Sequence, residues 1–183
     1  ISHHLFFITD LVKEIFADTE VVGISHGTDM RQVKKHHKFL PRLNHLKDLD
    51  YVLTVTDMED DAIINLLGVD ESKIHNVGGG YNEKVFYPPK EEIEKNTIDI
   101  VYAGKISQSK GVFELVQTLP ILEKKYPQIR LHMIGNADLE SCHKMKDLAK
   151  HSQRLSIYHA LDQLKLANLL READIFVLPS YFE

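Results

Sequence analysis

The sequence predicts an α/β chain that carries two parallel-sheet lobes. Three observations predict it. Short apolar runs of strand type, "VVGIS", "YVLTVT", "KIHNV", "IDIVYAG", "RLHMIGN", "RLSIYH" and "ADIFVLPS", alternate with segments of helical periodicity. A glycine triplet, residues 78–80, and the segment "YPPKEEIEKNT" interrupt that alternation near its middle. Apolar residues make up 43% of the 183 and charged residues 27%, enough to bury real cores and too ordered a composition for a disordered chain. Strand–helix alternation implies βαβ units wound around a parallel sheet.

In order along the chain, "HHLFFITDLVKEIF" has apolar residues at helical spacing and predicts an opening helix. A basic helix is expected from about Arg31 to Leu46, and "DMEDDAIINLL" predicts a helix capped by Asp57. Residues 1–87 then form one lobe, 88–97 a crossing, and 98–183 a second lobe. In the second lobe, helices are expected over Gly111–Lys125, Leu139–His151 and Asp162–Glu172, with Pro120 kinking or shortening the first. The chain starts at Ile1 in pattern and stops at Glu183 after a strand, so both lobes are expected to be incomplete and the piece inactive by itself.

Charge and composition exclude several classes. A net charge of -5 argues against a nucleic-acid partner. One cysteine, Cys142, rules out an internal disulfide and a cysteine-based zinc site, and a cytoplasmic setting fits best. No apolar run has the length of a membrane-spanning helix. The eleven histidines include the adjacent pairs His3–His4 and His36–His37, but no pair has i, i+4 ligand spacing with supporting acids, so no metal is expected. The basic stretch "RQVKKHHKFLPR" reads as a solvated face or as a peripheral contact with an anionic membrane or acceptor. The glycine triplet reads as a hinge, because no Lys-Ser or Lys-Thr follows it as in a phosphate loop.

The polar residues of the second lobe fall beyond the carboxyl ends of its strands, where open α/β sheets bind ligands. They are Lys105, Lys110, Gly135, Asn136, His159 and the "PSYFE" end. In "VYAGKISQSKGVFELV" a strand ends in Gly104-Lys105, and Lys110-Gly111 stands at the mouth of a helix. Two ammonium groups beside the positive end of a helix suit a diphosphate; the bland reading is a βα turn with two solvated lysines.

Five segments carry a family resemblance. "VYAGKISQSKGV", "LHMIGNA" and "LANLLREADIFVLPSYFE", with the upstream "SHGTDMRQ" and "VGGGYNEKVFYPP", resemble in order the landmarks of the retaining nucleotide-sugar glycosyltransferases of GT-B type, group 1 or family 4. The resemblance implies two Rossmann-like lobes, the first on the acceptor side and the second binding the donor. It implies transfer of a sugar from a nucleotide-diphosphate donor to a carbohydrate, lipid-linked or other hydroxyl acceptor, with retention of anomeric configuration and no cofactor or metal. Lys105 and Lys110 would neutralise the departing diphosphate, and Glu183 matches the first glutamate of the family's paired-glutamate motif, near the donor sugar. His26 matches a histidine that lines the donor sugar from the opposite domain. Gly104, Gly111, Gly135 and Asn136 belong to the nucleotide-binding turns, and the turn His159, Ala160, Leu161 would receive the base through main-chain groups. Lys105 stands where the family more often has arginine, His159 where it has glycine, and Gly79 and Asn82 replace the usual Asn and Asp of the crossing. These departures bear on sugar and base identity. Two rival readings share the architecture: a nucleotide-sugar 2-epimerase, and a non-catalytic nucleotide- or sugar-binding module.

Overall fold

A computed structural model describes residues 1–91 and 94–181. The chain divides into two compact units, Ile1–Gly80 and Tyr81–Glu183. Each unit is built on a four-stranded, wholly parallel sheet.

The first unit orders its strands β1 (Ser2–His3), β2 (Val22–Ile24), β3 (Tyr51–Thr54) and β4 (Ile74–Asn76) in sequence order across the sheet. Helices α1 (Asp10–Ile15), α2 (Thr28–Lys35) and α3 (Asp60–Leu67) join them. Met30 and Val33 of α2, Ile63 of α3 and Val52 of β3 form the core with Leu5, Leu46 and Leu49 of the connecting segments, all at most 2% exposed.

Three expectations for this unit are corrected. The opening segment is not one helix: Ser2 and His3 pair with Gly23 and Ile24 as a strand, and a π-helical turn, Leu5–Thr9, precedes α1. The basic helix ends at Lys35, and His37–Arg42 continues as 3₁₀. Pro41 has no N–H for an α ladder and its ring would meet the carbonyl of residue 37, so the backbone tightens there. Asp57 is not the cap: Thr56 accepts the Met58 N–H at 3.2 Å, and a 3₁₀ turn, Asp57–Glu59, leads into α3.

The second unit orders its strands β7 (Leu155–Tyr158), β6 (Ile129–Ile134), β5 (Ile98–Ala103) and β8 (Ile175–Phe176). Helices α4 (Val112–Lys125), α5 (Leu139–Leu148) and α6 (Gln163–Glu172) complete it. Alternate residues of β5 and β6 (Ile100, Tyr102, Leu131, Met133) pack with Val112, Val116, Leu119 and Met145 of α4 and α5. Pro120 does not shorten α4, which runs on to Lys125. The buried stripe of Val112, Phe113, Val116 and Leu119 holds the helix on the sheet and outweighs one missing hydrogen bond. Among the described residues, no helix is long and apolar enough to cross a membrane.

The opposite face of β5 begins with a buried carboxylate. Asp99 accepts hydrogen bonds from Arg130 Nε (2.6 Å), Lys95 Nζ (2.8 Å), Thr97 Oγ1 (2.9 Å) and lies 2.8 Å from His132 Nε2. Burial alone would push its carboxyl up; the bonds from Arg130, Lys95, His132 and Thr97 prevail and hold it well below the ordinary 3.8. A depressed folded value stabilises the fold above the unfolded value and loses that contribution as the pH falls below about 4. Asp99→Ala strips one partner from this ion network and is expected to lower unfolding free energy by about 3 kcal/mol. Denaturant melts at neutral and acid pH check it: the gap between wild type and variant should close in acid.

Candidate functional site

Strand register sets the site. Ala103 pairs with Ile134, and Ile134 with Tyr158, so β5, β6 and β7 end side by side. Their next residues, Gly104, Gly135 and His159, leave the sheet together. Gly104 N–H donates to Ile134 C=O at 2.9 Å and Gly135 N–H to Tyr158 C=O at 3.0 Å. A Cβ on Gly135 would stand 1.9 Å from the Gly104 carbonyl oxygen, so main chain rests directly on main chain there.

The loop after β5 is held from below. Tyr102, fully buried in the core, donates its hydroxyl to the Lys105 carbonyl at 2.7 Å, and the Ile106 side chain is buried beside it. A 3₁₀ turn, Gln108–Lys110, follows, and Gly111 takes φ +63° to open α4. Gly111 also admits the Pro179 carbonyl, whose oxygen would lie 2.1 Å from an added Cβ. Tyr181 N–H donates to Ser109 C=O at 3.0 Å, so the segment after β8 lies along the same loop. Gln108 donates its amide to Glu114, and Lys144 of α5 stands 3.9 Å above the Phe113 ring. The Glu114 charge pushes the Tyr181 phenol above its ordinary value.

A cleft of about 570 Å³ opens over these strand ends. Gly104, Lys105, Gly135, Asn136, Ala160 and Leu161 line it, with Leu166 of α6 at its side. Lys110 and Gly111 follow in the same loop at the positive end of α4, which is 14 residues long. His159 belongs instead to a neighbouring cavity of about 400 Å³, bounded by Cys142, Lys146, His151 and Tyr158 and sharing Gly135 with the cleft. His26 lies in the first unit, after β2, where its backbone N–H donates to Asp29 Oδ2 at 3.1 Å. Glu183 lies outside the described residues. Among the described residues, no cluster of His, Cys, Asp or Glu could hold a metal ion.

The structure adds supporting residues that sequence reasoning missed. Tyr102 fixes the Lys105 carbonyl and Pro179 closes over Gly111. A tyrosine inside a strand, two residues ahead of Gly-Lys, was the available signal for the first. Nothing in the sequence pointed to the second, since contact between residues 111 and 179 depends on β5 and β8 being neighbours.

The cleft combines the Lys105 ammonium, close-packed main chain at Gly104 and Gly135, and apolar Ala160, Leu161 and Leu166. A sequence profile described as "Glycosyl transferases group 1" matches residues 83–183. Mannosylfructose-phosphate synthase of Agrobacterium fabrum is 22% identical over 166 residues, taking in 79% of this chain and 37% of that protein. Among solved structures, sucrose-phosphate synthase from Thermosynechococcus elongatus superposes with a TM-score of 0.70 at 18% identity, over 99% of this chain and 50% of that one. Anabaena HepE, solved with UDP and glucose, does so with a TM-score of 0.65 at 15% identity, over 93% of this chain and 49% of that one. The chain thus spans half or less of the length of these proteins, and the superpositions give the fold, which is of GT-B type. With more than half of its residues inside the matching profile, the chain belongs to the group 1 glycosyl transferases.

Proposed function

We propose that the protein transfers a sugar from a nucleotide-diphosphate donor to a hydroxyl acceptor, with retention of anomeric configuration and without a metal. One observation supports the reading most: Lys105 lines the cleft at the ends of β5, β6 and β7, and Lys110-Gly111 enters α4 from the same loop. Breaking the bond between the anomeric carbon and the diphosphate leaves negative charge on a phosphate oxygen. Fixed ammonium groups and a helix N-terminus stabilise that charge more as it grows, which accelerates the step. The acceptor oxygen forms the new bond on the face the diphosphate leaves, and its proton passes to the departing group or to solvent. Gly135 and Gly104 let the nucleotide lie against the main chain, and Ala160 and Leu161 receive the base. His26 and Glu183 are proposed to contact the transferred sugar. A cytoplasmic setting is part of the reading, as the compartment where nucleotide sugars and a free thiol such as Cys142 coexist.

The test uses full-length protein and a panel of nucleotide sugars differing in base and sugar. Nucleoside diphosphate release should depend on one donor, continue in excess chelator, and give a product whose anomeric proton coupling matches the donor's. An inverted product overturns retention, loss of turnover in chelator overturns metal independence, and 2-epimerised sugar without transfer points to the epimerase.

A further inference from the structure

Three imidazoles meet at one point of the first unit. His3 Nδ1 lies 2.9 Å from His26 Nε2, with ring centroids 5.2 Å apart and planes at 19°. The His4 ring lies 4.6 Å from the His26 ring on a tilted face. Asp29, buried in the first turn of α2, accepts the His26 backbone N–H and stands 3.4 Å from His4 Nδ1.

This convergence needs a backbone device. Successive residues of a strand present side chains to opposite faces, so His3 and His4 would not both reach His26 from regular β1. His4 leaves the strand in a left-handed conformation, φ 68°, uncommon for any residue but glycine. That conformation is fastened at both backbone groups. The His4 N–H donates to Ile24 C=O at 3.0 Å, and the His4 carbonyl accepts the hydroxyl of Thr9 at 2.8 Å. Thr9 is itself fully buried, with Ser2 Oγ 2.8 Å from its oxygen. Unfavourable backbone persists where its surroundings determine it, and such positions cluster at functional sites.

We propose that His3 and His4 are positioning residues that hold the His26 imidazole in one orientation, with its tautomer coupled to that of His3. Two ring nitrogens in contact need one N–H and one bare nitrogen. The His3 contact therefore ties the tautomer of neutral His26 to that of His3: one of the two facing nitrogens donates and the other accepts, and in both cases the Nδ1 edge is the one His26 offers a ligand. His4 packs the ring from its other neighbour and Asp29 fixes the main chain beneath it. The proposal rests on the reading that His26 meets the transferred sugar, and adds how the ring is aimed: a sugar hydroxyl is recognised by one preset donor or acceptor rather than by a rotating pair.

Ring ¹⁵N shifts of labelled histidine in the full-length protein, recorded where the imidazoles are neutral, test it. The His26 tautomer ratio should change in His3→Ala, where the coupled partner nitrogen is gone. His3→Asn, whose amide can donate or accept where Nδ1 stood, should restore turnover and bring the ratio back towards wild type. His3→Ala should lower kcat on the order of tenfold with donor KM and Tm little changed. His4→Gly relieves the left-handed backbone, so Tm should hold or rise while kcat falls. A His26 tautomer ratio that His3→Ala leaves unmoved overturns the proposal. Normal turnover of both His3→Ala and His26→Ala, with the tautomer shift intact, overturns the sugar-facing role of His26 while the coupling of the rings stands.

Discussion

Lys110→Ala in the full-length protein is expected to lower kcat/KM on the order of one hundredfold, since one preorganised charge on a departing group is worth about 3 kcal/mol. Lys110 ends the 3₁₀ turn that feeds Gly111 and α4, and in the proposed function its ammonium and the helix N-terminus act on the same charge. The loop is held by the Tyr102 hydroxyl and the buried Ile106, neither of which the substitution touches. The thermal midpoint should therefore stay near wild type. Lys110→Arg should recover part of the rate, because the charge remains while the planar guanidinium spreads it differently. Turnover and melting measured on the same preparations decide it: normal turnover in Lys110→Ala means a solvated lysine and ends the phosphate role.

Gly135→Ala should injure fold and site together. The added Cβ would stand 1.9 Å from the Gly104 oxygen and 3.0 Å from its carbonyl carbon. Neither is a side-chain end that can swing away, so β5 and β6 must part at their ends. A destabilisation of about 3 kcal/mol is expected, at the upper range of overpacking effects. Nucleoside diphosphate affinity should fall with it, since the cleft floor is the part displaced. Thermal melts and calorimetric titration with nucleoside diphosphate measure the two; an unchanged midpoint would show that the two turns can separate freely.

The strands were legible because buried parallel strands are short apolar runs bounded by turns, and each of the seven quoted runs contains one in the structure. Helix limits were less so. Pro41 and Pro120 carry the same local message, yet the backbone is 3₁₀ around one and α around the other. What differs is tertiary: a stripe of buried residues on α4 that local propensity does not contain. At the site, glycines and lysines beyond strand ends were readable as positions, and the cleft gathers Gly104, Lys105, Gly135, Asn136, Ala160 and Leu161. The histidine array was not readable. "HHLFFITDLVKEIF" has a helical period that hides Ser2 and His3 in a strand, and the left-handed turn at His4 follows from its bonds to Ile24 and Thr9 rather than from its own preference.

The cleft floor includes main chain, where Gly135 receives the Gly104 carbonyl. Side-chain replacement can remove such a floor but cannot reshape it, so diversification is channelled to the walls. Asn136, Ala160 and Leu161, with His159 in the adjoining cavity, are the positions where a combinatorial library could change what the cleft accepts while its main-chain scaffold is inherited unchanged.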